Sequence, residues 1–415
     1  MADGHIAVSR MKSLPALFTV VVIDVLGFGI VIPLVPYMAA QMGASPTINT
    51  WILGIYSFFQ LLATPMWGRL SDRFGRRPIL LSSMLGACAS YVLLAYAHSI
   101  AALFLARALA GVMAGNLSAA MAYASDISQP ADRTRTMGAV GAAIGIGFML
   151  GPAIGGLMAG EQLRAVSFLR PALVSASLSL LAMLLVLLML PESRTAEARR
   201  AHAVSATRVR AWQLLRLLPA LRWMTLAALL VTFAVSTLES IFAIWAMNRY
   251  QVGPRTVGMA LFALAIVAVG VQGGLMRRLA PRYGETRLAM AGIVFLTGGL
   301  AAVAFGAALP LIIIGMMACG VGTGLFNPSA LALASREAQE HNRGAVMGTY
   351  QSGTSLARVI APFAAGPTYM HIGPNAPFML AGVVVLQALW CVLGVRRAHA
   401  AEQPVSDVAR QRRIR

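Results

Sequence analysis

Residues 68–78 read Gly-Arg-Leu-Ser-Asp-Arg-Phe-Gly-Arg-Arg-Pro, and this short charged segment lies between two apolar runs at 51–68 and 78–97. Each run has about the 20 residues that an α-helix needs to cross the hydrocarbon core of a bilayer. The segment is therefore interpreted as the loop between two membrane-spanning helices. A related segment at 278–285, Arg-Leu-Ala-Pro-Arg-Tyr-Gly-Glu, is displaced from it by 209 residues, which indicates a repeat within the chain.

The composition of the whole chain agrees with a membrane protein. Of its 415 residues, 58% are hydrophobic and only 11% are charged, with a mean hydropathy of +0.74. A soluble domain carries about 25% charged residues. These values exclude a soluble globular protein, a disordered protein and a secreted disulfide scaffold, and they leave little mass outside the bilayer. The three cysteines lie far apart inside apolar runs, so we expect free thiols.

We predict twelve membrane-spanning helices, numbered here as spans 1 to 12. A membrane β-barrel is excluded because its strands would be about 10 residues long and would alternate polar with apolar residues. The predicted fold class is therefore an all-α integral membrane protein. The spans run near 14–38, 51–68, 78–97, 100–122, 137–159, 168–190, 223–247, 255–275, 287–308, 310–333, 345–368 and 376–395.

A second landmark of the repeat places Gly138 and Pro152 of span 5 opposite Gly348 and Pro362 of span 11, an offset of 210 residues. Two landmarks at nearly one offset indicate two pseudo-symmetric six-helix bundles, the arrangement of secondary transporters with a site near the midplane. The predicted domains are an N-terminal bundle, a basic cytoplasmic linker, a C-terminal bundle and a basic cytoplasmic tail, at 1–190, 191–222, 223–395 and 396–415.

The net charge of +19 reflects topology. Most of the 33 Lys and Arg residues lie in the N-terminus, the even-numbered loops and the C-terminal segment, whereas the odd-numbered loops hold only Arg164, Arg170, Arg249 and Arg255. The excess of positive charge on cytoplasmic loops predicts that both termini are cytoplasmic. We therefore expect the basic residues to face the lipid bilayer surface and not a nucleic acid. We also expect the protein to be a monomer in a bacterial inner membrane.

Several motifs resemble signatures of the major facilitator superfamily. The loop between spans 2 and 3 is similar to its motif A through Gly68, Asp72, Arg73, Gly75, Arg76 and Arg77. Span 5 matches its antiporter motif through Gly138, Gly147, Gly151, Pro152, Gly155 and Gly156. Arg107 followed by Gly111 resembles motif B. The segments 24–33 and 190–193 are similar to the twelve-helix drug:proton antiporter branch, with the tetracycline exporters as the nearest group.

The resemblance implies the major facilitator fold and a proton-coupled antiporter that exports an amphipathic drug or small metabolite by alternating access. It implies that Asp72 and its arginines form a cytoplasmic gate that latches onto span 11, and that the glycines of span 5 pack against span 8 of the other half. Two simpler interpretations stay open, namely that the arginines only set topology and that the glycines only permit close helix packing.

Four ionisable residues lie deep in the spans: Asp24, Arg107, Glu239 and Arg358. A charge in the membrane is costly and is a functional hypothesis by default. We predict that Asp24, Arg107 and Glu239 take part in proton coupling, with a permanent Asp24–Arg107 ion pair as the structural alternative. The predicted substrate cavity comprises Tyr37, Tyr56, Gln60, Asn116, Phe148, Trp245, Asn327, Gln351 and Arg358.

Other functions are weighed against this one. The tetracycline exporters carry acidic residues in spans 3 and 9 and a histidine in span 8, where this chain offers Ser90, Phe295 and Ala268. A tetracycline–metal chelate is therefore in doubt as the substrate, and export of an endogenous siderophore-like metabolite is the alternative, followed by an uptake symporter or facilitator. We expect no enzyme, cofactor or metal, because the sequence contains no nucleophile constellation or phosphate-binding loop.

Overall fold

The structure is a computed structural model that describes residues 2–129, 132–161, 168–193, 211–337 and 343–414. Side chains are described from Ser13 to Val395 within these ranges, except at positions 133, 134, 211 and 343. The secondary structure of the described residues is helical, with no strand, which confirms the predicted all-α fold class.

The first six predicted spans are all present as helices, and two of them are interrupted. Span 1 is broken at 32–34, and span 4 is broken at 113–115. The helices are Ala2–Val31 and Val35–Gln41 for span 1, Pro46–Phe74 for span 2, Arg76–Ala95 for span 3, Ile100–Val112 and Asn116–Ile127 for span 4, Arg133–Ala159 for span 5, and Leu169–Met189 for span 6.

The second six spans follow a short helix, Ala211–Leu217, which lies within the predicted linker. Span 8 changes to a π-helical turn at Val271–Leu275, and the helix of span 12 continues through the predicted tail. The helices are Pro219–Tyr250 for span 7, Pro254–Gly270 and Met276–Tyr283 for span 8, Glu285–Phe305 for span 9, Leu309–Arg336 for span 10, Arg343–His371 for span 11, and Ala376–Ile414 for span 12.

Ten of these spans are long and apolar enough to cross a membrane on composition alone, counting only the described residues. The other two are spans 2 and 11, which are helices of 29 residues each. Twenty residues of helix suffice to cross the hydrocarbon core, so both are long enough. Their more polar composition is expected of helices that line a polar path rather than face lipid.

The chain divides into two compact units. Unit 1 is Met1–Ala206 together with Ile241–Phe262, and unit 2 is Thr207–Ser240 together with Ala263–Arg415. The end of span 7 and the start of span 8 thus belong to unit 1. The domain boundaries given above stay a prediction.

A buried cluster in unit 1 holds the ends of several spans together. It includes Leu17 of span 1, Leu80 of span 3, Tyr123 of span 4, Val140 of span 5 and Val186 of span 6, each with no exposed surface. Such packing, with alanines between the larger side chains, is how helices associate inside a bilayer. The cluster fixes the helix ends beside the loop between spans 2 and 3.

The repeat is visible in the backbone as well as in the sequence. Gly75 ends span 2 with φ 106° and donates its N–H to the carbonyl oxygen of Ser71 at 3.1 Å. Gly284 ends span 8 with φ 76° and donates in the same way to Ala280 at 3.0 Å. Positive φ favours glycine, and the next span begins directly after each residue. The 209-residue offset therefore corresponds to one turn geometry used twice.

Candidate functional site

The loop between spans 2 and 3 is organised around one buried guanidinium. Arg76 is only 5% exposed. It forms salt bridges of 2.9 Å to Asp72 and 3.0 Å to Asp126, which lies near the end of span 4, and it donates to Ser71 Oγ at 3.0 Å. Two carboxylates and one hydroxyl thus surround a single cation, which offsets the cost of burying it. This arrangement joins spans 2, 3 and 4.

A third carboxylate caps span 3. Glu192, which follows span 6, accepts the backbone N–H groups of Arg76 at 2.9 Å and Arg77 at 3.2 Å. A negative charge stabilises a helix N-terminus because the first N–H groups lack partners within the helix. A Cβ atom on Gly75 would lie 2.4 Å from a Glu192 oxygen and would displace this cap, and the positive φ of 106° also favours glycine here. Glu192 lies in the segment 190–193, which resembles the antiporter branch, but this contact was not predicted.

The remaining motif residues lie at the edge of this cluster. Arg77 donates to the Leu187 carbonyl oxygen at 2.5 Å. Arg73 is exposed, and its guanidinium lies 5.3 Å from the centre of the Phe74 ring. A Cβ atom on Gly68 would meet no heavy atom within 4 Å. The predicted gate residues are therefore brought together around Arg76, except Gly68 and Arg73.

Unit 2 contains a pair at the equivalent positions with its charges reversed. Arg336 donates to Glu285 at 2.7 Å. Glu285 lies 209 residues after Arg76, and Arg336 lies 210 residues after Asp126. Each pair links the start of one span to the end of the next. The unit 2 pair is more exposed: the side chains of Arg336 and Glu285 are 58% and 24% exposed, whereas those of Arg76 and Asp126 are 6% and 12% exposed.

The small-residue face of span 5 packs against span 1. A Cβ atom added to Gly147 would lie 2.7 Å from the side chain of Val25. One added to Gly151 would lie 2.5 Å from the backbone of Gly29, and one added to Gly155 would lie 2.1 Å from the carbonyl oxygen of Ile30. The backbones therefore approach too closely for any side chain. The resemblance had implied that these glycines face span 8, but the structure places them against span 1 of the same unit.

Two other motif residues, Pro152 and Gly156, do face span 8. A Cβ atom on Gly156 would lie 2.6 Å from the Pro254 carbonyl oxygen, and one on Gly258 would lie 2.3 Å from the Pro152 carbonyl oxygen. Gly138 has open space around it, so close packing does not explain a glycine there. The motif thus divides into a face against span 1, a contact with span 8, and one residue without either.

A carboxylate lies at the end of this contact, beside the loop between spans 5 and 6. Glu161, which follows span 5, accepts the N–H of Gly253 at 2.8 Å, the N–H of Thr256 at 3.1 Å and the Thr256 hydroxyl at 2.8 Å. It therefore caps the start of span 8. Glu161 was not predicted as a site residue, although it is the only acidic residue in the predicted odd-numbered loops, a signal that could have identified it.

Tyr37 belongs to the same contact. Its hydroxyl donates to the carbonyl oxygen of Val252 at 2.9 Å, and the side chain is 2% exposed. Trp245 is likewise fully buried, with its ring centre 6.1 Å from that of Phe242 and 5.6 Å from that of Tyr250. The structure thus places Tyr37 and Trp245, two of the predicted cavity residues, in packed positions.

The broken helix of span 4 creates a polar group within the membrane. The break leaves the carbonyl oxygen of Val112 without its helical partner, and the indole N–H of Trp67 donates to it at 2.5 Å. Backbone groups freed inside a membrane need such partners. The second helix begins at Asn116, whose side-chain amide donates to the Asp24 carboxyl group of span 1. The break therefore sets Asn116 against the buried carboxyl.

Arg107 has aromatic neighbours in place of a carboxylate. It is 4% exposed, and its guanidinium lies 4.6 Å from the ring centre of Tyr56 and 5.6 Å from that of Phe28. Within the described part of the chain, no ion pair joins Arg107 to Asp24 or to another acid. The alternative of a permanent Asp24–Arg107 ion pair is therefore not what the structure contains.

Three more predicted cavity residues surround this group. Gln60 donates to the Tyr56 hydroxyl at 3.3 Å. The ring of Phe28 lies 4.9 Å from Tyr56 and 5.9 Å from Phe148, and Phe148 is 38% exposed. Phe28 was not predicted, because a phenylalanine in an apolar span gives no signal of its own.

Unit 2 carries the other predicted polar residues on open faces. Arg358 interacts electrostatically with the Glu239 carboxyl. Both side chains are exposed, as are those of Asn327 in span 10 and Gln351 in span 11. Four exposed polar groups inside apolar spans are expected of a surface that meets water rather than lipid. In the described residues, no group of three or more His, Cys, Asp or Glu is placed to hold a metal ion.

These features define a multi-pass membrane protein with polar groups inside its helical units, which is the general design of a transporter. The model of the Major Facilitator Superfamily matches residues 17–282 and 270–414. The chain belongs to this superfamily. It is accordingly a transporter of small molecules and not an enzyme.

Similar proteins include two that are named for drug resistance. The chain is 31% identical over 373 residues to the tetracycline resistance protein, class C, of Escherichia coli, covering 85% of this chain and 89% of that one. It is 26% identical over 371 residues to multidrug resistance protein 2 of Bacillus subtilis, covering 88% and 90%. The crystal structure of the human organic anion transporter MFSD10 (TETRAN) superposes with a TM-score of 0.69 at 23% identity, covering 92% and 99%, which shows the shared fold.

Proposed function

We propose that this protein is a proton-coupled antiporter that exports an amphipathic small molecule by alternating access. The observation that carries the proposal is Asp24, a carboxyl buried in the middle of span 1 whose hydrogen-bond partner is the neutral amide of Asn116. A proton bound there neutralises the group, and its release leaves a charge that a substrate can satisfy. Competition of proton and substrate for one carboxyl would couple their movements in opposite directions.

The export direction draws on the relatives. Both a tetracycline resistance protein and a multidrug resistance protein match most of this chain, and resistance by a transporter means removal of the compound from the cell. The span 5 motif of antiporters supports the same direction. Ser90, Phe295 and Ala268 stand where the tetracycline exporters carry acidic residues and a histidine, so we propose an amphipathic drug or metabolite without a bound metal.

Two contact clusters are proposed as the gates. The inner one is the Arg76 cluster with Asp72, Asp126 and Glu192, on the side of the predicted cytoplasmic loops. The outer one is the cap of Glu161 on the start of span 8. Alternating access requires one of them to open while the other stays closed. We propose further that the protein works as a monomer in a bacterial inner membrane with both termini in the cytoplasm.

Everted membrane vesicles test this function. A pH gradient, acid inside, is built with lactate and followed by a quenched pH-sensitive dye, and then tetracycline, norfloxacin or ethidium is added. We expect dequenching in vesicles with the wild-type protein and none with Asp24→Asn. Asp132→Asn is the matched control, because this exposed carboxyl lies outside both clusters, and it should behave as wild type.

The outcomes separate the candidate functions. Dequenching that is equal in wild type and Asp24→Asn contradicts the role of Asp24. Uptake of the compound into intact cells, with alkalinisation of the medium, would support a symporter of the same fold. Transport of a compound without any proton movement would support a facilitator.

A further inference from the structure

Asp24 and Arg107 are two buried charges of opposite sign that do not neutralise each other. Their exposed fractions are 7% and 4%. The carboxyl of Asp24 accepts from the neutral amide of Asn116, and the Nε atom of Arg107 is buried without a hydrogen-bond partner. Both groups act electrostatically on the phenol of Tyr91, so they belong to one neighbourhood.

The contrast with Arg76 shows that this arrangement is unusual within the same unit. Arg76 is buried to a similar degree, at 5% exposed, and contacts two carboxylates and a hydroxyl. A buried guanidinium needs such ion pairs and hydrogen bonds because they offset the free-energy cost of removing its charge from water. The rings of Tyr56 and Phe28 supply cation–π attraction to Arg107, which is weaker than a charge-assisted hydrogen bond.

An anion would supply the charge-assisted hydrogen bonds that Arg107 lacks. The planar guanidinium offers paired N–H donors that match the two oxygens of a carboxylate. An anion alone would be repelled by an ionised Asp24 and would bind best when that group carries a proton. Such a ligand would move in the same direction as the proton, against the antiport proposed above. A cationic group on the same ligand removes this conflict because it pairs with Asp24 and competes with the proton.

The remaining neighbours favour an aromatic body between the two charges. Phe28 contacts the ring of Tyr56 and, edge to face, the ring of Phe148. Phe148 is 38% exposed, so this stack runs from the buried guanidinium to an open surface of unit 1. An aromatic ligand can extend the stack with favourable ring geometry.

We propose that the substrate is an amphipathic zwitterion, with a carboxylate that binds Arg107 and a protonated amine that binds Asp24. This inference rests on the proposed antiport function and names the chemical class of its substrate. One proton displaces the amine from Asp24, so a neutral zwitterion is exchanged for a proton. Arg107 then acts in substrate recognition, in addition to any part in proton movement.

Norfloxacin is a suitable probe because it is aromatic and fluorescent and carries one carboxylate and one amine. Its ethyl ester keeps only the amine, and its N-acetyl derivative keeps only the carboxylate. Binding of all three compounds is measured by fluorescence on the full-length protein in lipid nanodiscs. We expect the wild type to bind norfloxacin at least tenfold more tightly than either derivative.

The variants assign the two charges. Arg107→Gln should bind norfloxacin and its ester with equal affinity, and Asp24→Asn should bind norfloxacin and the N-acetyl compound with equal affinity. Arg107→Lys keeps the charge and should retain part of the preference, which covers the case in which Arg107→Gln fails to fold. Arg170→Gln removes an exposed arginine at the start of span 6 and should leave all three affinities unchanged.

The proposal is overturned if norfloxacin does not bind, if the three compounds bind equally, or if the preference survives in Arg107→Gln. These results are distinct from a failure of the antiport function. Proton release driven by the ester alone in the vesicle assay would leave antiport intact and refute only the zwitterion.

Discussion

Replacing Gly155 by alanine tests how span 5 is held in unit 1. The added Cβ atom would lie 2.1 Å from the carbonyl oxygen of Ile30 and within 3 Å of two more of its backbone atoms. Backbone cannot move aside as the end of a flexible side chain can, so spans 1 and 5 must separate along their contact. Overpacking of this kind costs about 1–3 kcal/mol.

Gly138→Ala is the matched control on the same helix, because no heavy atom lies within 4 Å of the added Cβ. Alanine is favoured over glycine in a helix by about 1 kcal/mol, so this variant should be neutral or slightly more stable. The two substitutions are chemically identical, and their difference therefore reports the contact with Ile30 alone.

The assay is thermal unfolding of the purified protein in detergent, followed by tryptophan fluorescence. We expect Gly155→Ala to lower the apparent midpoint by about 2–12 °C, on the scaling of domains of 150–250 residues, and Gly138→Ala to leave it unchanged or raise it. Equal midpoints for the two variants would refute the close approach of spans 1 and 5. A loss of transport with an unchanged midpoint in Gly155→Ala would point to a moving contact instead.

Two further predictions concern the charged contacts. Glu161→Gln removes the charge from three hydrogen bonds to Gly253 and Thr256. Charge-assisted hydrogen bonds are roughly twice as strong as neutral ones, so this cap should open more often. The cysteine introduced by Val252→Cys should then react faster with a membrane-impermeant maleimide from outside, and an unchanged rate would contradict the proposed outer gate. Asp126→Asn removes one of the two carboxylates that pair with the buried Arg76, which keeps its salt bridge to Asp72. The loss of stability should therefore be about 2–3 kcal/mol, below the range for a buried charge left without any partner. Glu285→Gln breaks the exposed counterpart and should cost no more than about 1 kcal/mol, so similar losses of thermal stability in the two variants would show that burial does not separate the pairs.

The helices were predictable from the sequence because a helix makes its backbone hydrogen bonds within its own segment of the chain. A span needs only about 20 apolar residues, and all twelve predicted spans coincide with helices of the structure. The repeat was also predictable, since the turn glycines Gly75 and Gly284 stand at one offset. The break at 113–115 was not predicted, because it depends on a partner elsewhere in the chain: Trp67 stabilises it from span 2. The break at 32–34 was not predicted either, although Pro33 lies within it and proline interrupts a helix.

The candidate site was predicted in composition more than in arrangement. Asp24, Arg107 and Asn116 were identified because polar groups in apolar spans are costly. Their pairing was not, since the expected ion pair of Asp24 with Arg107 is replaced by a hydrogen bond from Asn116. Glu161 and Glu192 were missed as helix caps because their partners are backbone N–H groups, which no residue type marks in the sequence. The isolated acidic position of Glu161 was the one signal that could have identified its cap.

Asp24 is proposed to exchange a proton for the substrate. Proton release on adding a transported compound to the purified protein in a weakly buffered solution tests this exchange. We expect the wild type to release about one proton for each molecule bound, and Asp24→Asn to release none even where that variant still binds the compound. Equal proton release from both proteins, or binding to the wild type without any release, would contradict it.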